Sequence, residues 1–132
     1  MKDFSAAAGW FRKAAQQNDA EAQFNLGACY QNGEGVAKDY AEAAKWFRRA
    51  AEQNYADAQL SLGGCHYLGQ GAAKDHVEAY AWISLAAGTV KDAAAKRDGL
   101  AKAMSPEQIF DGSKRMRELR AQIAAKLKSS GK

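Results

Sequence analysis

Trp10, Trp46 and Trp82 stand 36 residues apart, and displacing the chain against itself by 36 brings much more than the tryptophans into register. Residues 22–53 match residues 58–89 at 15 of 32 positions, among them Ala22/Ala58, Gln23/Gln59, Leu26/Leu62, Gly27/Gly63, Gly33/Gly69, Gly35/Gly71 and Asp39/Asp75. Residues 2–21 match 38–57 at 12 of 20 positions. A period of this length means stacked supersecondary units, none of which can bury its apolar face alone. The chain therefore folds as an array.

Each unit reads as two helices. Ala22, Leu26, Cys29 and Tyr30 share one face of a first, or A, helix, and Gly27 lets a neighbouring helix come close. Gly33-Glu34-Gly35 ends it, because glycine tolerates the positive φ of a helix C-cap. Asp39 caps a second, B helix. Tyr40, Ala43, Ala44, Phe47, Ala50 and Ala51 form its apolar stripe, with Trp46 at the edge, and Asn54 closes it. Small alanines beside large aromatics suit two tightly packed antiparallel helices.

The same reading predicts a B helix at 3–17, A and B helices at 20–32 and 39–53, another pair at 56–68 and 75–88, and a degenerate A helix at 92–103. Ser105-Pro106-Glu107-Gln108 is a strong helix start, with a capping box and proline at N1. It opens a helix near 106–128 whose Ile109, Met116, Leu119, Ile123 and Leu127 share a stripe. The fold expected is all-α: an α-solenoid of antiparallel helix pairs, one domain over 1–132, with a C-terminal capping helix. Its units are a half repeat at 2–21, repeats at 22–57 and 58–93, and a degenerate repeat with the cap at 94–128.

At 132 residues the chain is long enough to bury a continuous core without staples. It has one proline and no low-complexity linker. No run of 18 apolar residues and no signal-peptide pattern is present, so the chain as given reads as soluble. It opens at Lys2-Asp3, equivalent to Lys38-Asp39 in mid-repeat, which leaves room for an upstream half-repeat or a leader. A cytoplasmic location is favoured if the chain is complete, a periplasmic one if a leader is missing. Residues 91–132 hold 11 Lys and Arg against 5 Asp and Glu, so the basic excess lies near the C-terminus.

Cys29 and Cys65 occupy the same place in successive repeats. Packed helices lie about 8–10 Å apart and a disulfide needs Cα atoms within about 7 Å, so both are expected as free thiols. Catalytic constellations are scarce. His66 and His76 are the two histidines, and neither a C-x-x-C nor an H-x-x-x-H spacing accompanies them, so no metal site and no cofactor is assigned. G-x-G at Gly33–Gly35 and Gly69–Gly71 follows no strand and lacks the third glycine of a phosphate cradle. Lys114, Arg115, Arg117, Arg120, Lys126 and Lys128 could meet phosphates, yet no aromatic is interleaved for base stacking, and nucleic acid is not expected as a partner.

The run L-G-A-C-Y-Q-N-G-E-G-V at 26–36, followed by Asp39, Ala43, Trp46-Phe47 and Ala50-Ala51, resembles the Sel-one-like repeat family, relatives of the tetratricopeptide repeats. The resemblance covers almost the whole chain. It implies helix–loop–helix units and a role as a scaffold or adaptor binding protein or extended peptide. His66 departs from the pattern where Tyr30 fits it, as does Ala72 where Val36 fits. Some bacterial relatives carry two disulfide-linked cysteines per repeat, where this chain carries one. Some have been linked to β-lactam chemistry, and the S-x-x-K such chemistry needs occurs here only at Ser129–Lys132, in a tail expected to be disordered. The alternatives to a binding scaffold are a hydrolase-like enzyme and a basic-helix binder of nucleic acid or anionic surfaces.

If the superhelix follows the tetratricopeptide geometry, the A-helix residues turned from the B helices line a concave wall. Those are Phe24, Asn25, Gln31 and Asn32 in one repeat, Leu60, Ser61, Tyr67 and Leu68 in the next, and Lys96 and Arg97 in the third. An apolar strip with amides, a hydroxyl and cations suits an extended peptide. At the other end Phe4, Trp10 and Phe11 have no A helix ahead of them, and weak self-association through this N-terminal helix is expected.

Overall fold

Aspartate side chains start four of the helices. Asp3, Asp19 and Asp39 each accept the backbone N–H three residues on, at 3.0, 3.0 and 3.1 Å, and Asp75 accepts those of Val77 and Glu78. The computed structural model describes residues 3–129 as α1 (Phe4–Gln16), α2 (Ala20–Asn32), α3 (Tyr40–Ala51), α4 (Ala56–Leu68), α5 (His76–Ala86), α6 (Ala93–Ala101) and α7 (Pro106–Ser129). No strand occurs among the described residues. Lys2 of the half repeat, and Ser130, Gly131 and Lys132 of the S-x-x-K match, lie outside them.

Two turns alternate along the array. Between an A helix and its B helix, Gly33 and Gly69 take φ of 69° and 70°, followed by Gly35 and Gly71 at 77°. At the second pair a Cβ would collide with the carbonyl oxygens of Phe4 and Tyr40, at the starts of α1 and α3. Each glycine loop thus rests on the B helix of the preceding repeat. Between a B helix and the next A helix the chain turns at Asn18 and Asn54, with φ of 71° and 67°. There a buried glutamine closes the turn. Gln23 Nε2 donates to Ala15 O at 3.1 Å and Asn18 Oδ1 at 3.3 Å, and Gln59 Nε2 donates to Ala51 O and Asn54 Oδ1, both at 3.2 Å.

Within each pair the A-helix glycine meets a B-helix side chain. A Cβ on Gly27 would lie 2.7 Å from Phe47 Cε1, and one on Gly63 would lie 2.6 Å from Ile83 Cγ1. The main core gathers Phe47, Leu62, Trp82, Leu119 and Ile123 with the buried alanines of α3 and with Ala58 and Ala81. A smaller cluster joins Ile83, Ala86, Ala93, Leu100 and Met104 under α6.

The capping helix does not stack on the end of the array as another A helix would. Ser105 and Gln108 close the expected box, with Gln108 N–H donating to Ser105 Oγ at 3.1 Å and Ser105 N–H to Gln108 Oε1 at 2.9 Å. From there the 24 residues of α7, about 36 Å of helix, pack against α5 and reach the end of α3. Gly112 lies under the Tyr80 ring, Arg115 pairs with Glu78 of α5, and Lys126 reaches Glu52 beyond α3 at 3.4 Å. The observed helices end within two residues of the expected limits, with both α3 and α5 shorter at their C-termini.

The three tryptophans show what stacking contributes. Trp82 is 1% exposed, Trp46 5% and Trp10 70%. Trp46 lies inside the core rather than at the edge of its stripe, because Ala15, Ala22 and Leu26 cover it. Phe4 is also exposed and Phe11 half-buried, so the N-terminal apolar patch is open. Replacing Trp46 with alanine should cost about 3–5 kcal/mol, and the same change at Trp10 less than about 0.5 kcal/mol; urea unfolding that gave equal losses would refute the assignment of burial to stacking. Gly63→Ala should destabilise by roughly 1–3 kcal/mol through overpacking against Ile83. Gly9→Ala, where a Cβ meets nothing within 4 Å, should not, and a Gly63→Ala melting temperature at or above the parent's would rule out the tight seam.

Candidate functional site

The A helices are α2, α4 and α6, and the packing between successive pairs changes along the array. Around the first interval the space is filled by aromatics: the Phe24 ring lies 5.7 Å from Phe47 and 5.5 Å from Tyr55, centroid to centroid. Phe24, half-buried, packs between repeats and lies outside the cavity described next. A 36-residue step carries this trio to Leu60, Ile83 and Lys91. Two aliphatics and an exposed lysine cannot fill the same volume, and a cavity of about 500 Å³ opens between α4, α5 and α6.

Six of the ten expected residues meet there: Gln31, Leu60, Ser61, Tyr67, Leu68 and Lys96 all line it. Asn25, Asn32 and Arg97 do not; Asn32 is exposed at the end of α2, and Arg97 Nε is engaged by its neighbour Asp98 at 3.1 Å. Sequence reasoning missed Ile83, Leu100 and Gln70 in the lining. The signal for Ile83 was present, since it stands where Phe47 does and is smaller. Gly64 and Gly99 add room, because a Cβ at either would meet nothing within 4 Å. Tyr67 and Leu68 are 44% and 59% exposed at the rim. Lys96 is the one charged group in the lining, and no ion pair engages it among the described residues.

Both histidines have structural partners. His66 is buried, with Nδ1 3.0 Å from Ala73 O and Nε2 3.4 Å from an Arg48 guanidinium nitrogen. A carbonyl only accepts and a guanidinium only donates, so Nδ1 carries the proton and Nε2 accepts. One repeat earlier Arg12 donates to Tyr30 Oη at 2.7 Å. His66 thus keeps the arginine contact of the tyrosine it replaces. His76 stacks on Tyr67 at 5.4 Å. Among the described residues no three His, Cys, Asp or Glu side chains gather as metal ligands.

On α7, Arg115 pairs with Glu78 and Glu118, and Lys126 with Glu52, so two of its six cations serve internal contacts. No helix among the described residues is long and apolar enough to cross a membrane.

The Sel1 repeat model matches residues 1–19, 20–55 and 56–87. The chain belongs to the Sel1 repeat family. Solved Sel1-type structures agree. A protective antigen of uropathogenic Escherichia coli, described as displaying an SLR fold, is 33% identical with a TM-score of 0.88 over 95% of this chain and 28% of its own. A Sel1 repeat protein from Oxalobacter formigenes is 42% identical, TM-score 0.66, over 70% of this chain and 38% of its own. Cysteine rich protein B of Helicobacter pylori is 30% identical, TM-score 0.64, over 67% of each chain. The chain thus spans well under half the length of the first two. No match was found among curated proteins. Sel1 repeats are generally protein-interaction scaffolds rather than catalysts.

In this Sel1 array Cys29 and Cys65 are free and buried. Burial pushes both thiols above their ordinary pKa, helped at Cys29 by Glu34 and opposed at Cys65 by a backbone hydrogen bond and Arg48. Unfolded thiols ionise near pH ~8.5, while the folded ones hold their protons to higher pH. The folded state then binds more protons, and stability falls as pH rises above about 8.5. Melting temperatures taken from neutral pH to about pH 10 should decline less steeply in a Cys29→Ala, Cys65→Ala variant than in the parent; identical slopes would remove the thiols as the cause.

Proposed function

We propose that this chain is a non-catalytic protein-binding module that receives a segment of a partner protein, in extended conformation, along its A-helix wall. The observation that carries this reading is the cavity between α4 and α6, where exposed Tyr67 and Leu68 stand beside Gln31, Ser61 and Lys96. An apolar floor with a few polar groups at its rim is the usual composition of a recognition site. Amides such as Gln31 and Gln70 can donate to and accept from a peptide backbone together. The hydrolase reading has less support, because both histidines are held in packing or stacking contacts rather than beside a nucleophile. The basic-helix reading is weakened by the internal pairing of Arg115 and Lys126.

A photo-crosslinking amino acid at Leu68 tests the wall directly. Irradiated in extract of the source cells, it should capture a discrete protein, whereas the same group at exposed Gln122 on α7 should not. Crosslinks arising from Gln122 and not from Leu68 would move the binding surface to the convex side and overturn the proposal.

A further inference from the structure

We infer that the cavity is an anchor for one aromatic side chain of the bound segment, flanked in that segment by a carboxylate that meets Lys96; this rests on the peptide-binding reading above and specifies its occupant. The argument comes from the repeat itself. In the first interval the space between successive pairs is closed by three rings, Phe24, Phe47 and Tyr55. In the second, Leu60 and Ile83 replace two of those rings and Lys91 the third. The backbone frame is the same, since Gly27 and Gly63 set equivalent A–B seams and Gly35 and Gly71 equivalent loop contacts. What the second interval lacks is aromatic volume in a slot whose counterpart holds packed, mutually tilted rings.

The slot has room for a ring. A cavity of about 150 Å³ lined by aliphatic side chains accepts benzene, and this one measures about 500 Å³ and is open to solvent along Tyr67 and Leu68. Leu60, Leu68, Ile83 and Leu100 supply the apolar lining. Gly64 enlarges it where the preceding repeat has Ala28. Tyr67, stacked on His76, offers a fixed aromatic face at the rim. Charge sets the second requirement. No Asp or Glu lines the cavity, and Lys96 is its one charged group, without an ion pair among the described residues. A carboxylate beside the inserted ring gives it a partner at the edge of a low-dielectric surface.

An array of hexapeptides, with every pair of residue types at the two central positions, tests this on the full chain. Retained peptides should be enriched in Phe, Tyr or Trp adjacent to Asp or Glu. Gly64→Leu, which projects into open space and removes a helix-interior glycine, should weaken the best peptide at least tenfold with no fall in melting temperature. Lys96→Glu should shift the flanking preference from acidic to basic residues. Binding without aromatic enrichment, or unchanged in Gly64→Leu, would overturn the anchor. If that binding is still lost in Leu68→Asp, the peptide-binding wall stands without it. Peptides insensitive to both variants, or no peptide retained by the parent, would overturn the wall and the anchor together.

Discussion

The buried amide of Gln23, repeated at Gln59, fixes how one repeat meets the next. Each is at most 2% exposed and spans a turn, tying a carbonyl in the last turn of a B helix and an asparagine side chain to the following A helix. A buried amide left without partners costs about 1–3 kcal/mol, so slipping the A helix by one residue is penalised at once by hydrogen bonding. Alanine-rich seams alone would not impose that register, because small side chains slide past one another with little change in contact. The first amide is also shared between turns: Gln53 Nε2 donates to Gln23 Oε1 at 2.9 Å and to Asn18 Oδ1 at 3.2 Å. Two consecutive turns are thereby joined on the same side of the array, and the A helices are held as a continuous wall.

Most of this was legible in the sequence because the same residues recur every 36 positions. Periodicity gave the helices, the glycine loops, the Asp39 cap and the Gly27 seam, each of which depends on local geometry or on the next repeat. Six of the ten residues singled out on the A helices line one cavity, since they share the sides of α2, α4 and α6 turned from the B helices. The packing of Phe24 was not legible because it depends on Phe47 and Tyr55, one on the next helix and one on the turn after it. The extent of Trp46 burial was underestimated for a related reason: α1 and α2 cover it, and a helical wheel of α3 contains neither.

The course of α7 was hidden for a different reason. Its stripe of Ile109, Met116, Leu119, Ile123 and Leu127 was plain, but a stripe says that a helix is covered on one side without saying by what. Placement on α5 is decided by particular fits, among them Gly112 beneath Tyr80 and Arg115 against Glu78. Neither pair is predictable from period or spacing. The consequence reaches across the molecule. α7 covers the side of α5 that carries Glu78 and Trp82 and reaches α3 only near Glu52, at its end, so the cavity between α4 and α6 lies clear of it.

The exchange of Tyr30 for His66 bears on the rigidity of that wall. A tyrosine hydroxyl in this position takes up the arginine of the preceding B helix, as Tyr30 does with Arg12. Histidine keeps that contact through Nε2 and gains a second through Nδ1, which donates to Ala73 O in the loop between α4 and α5. The side chain of one A helix thus links the preceding B helix to its own glycine loop. Gln70 of that loop lines the cavity, and Tyr67 and Leu68 immediately precede it. A loop held only by its glycines would let the rim move, and ordering it would then oppose binding. His66 ties the loop beside the cavity to the preceding B helix, a link that its glycines alone do not supply.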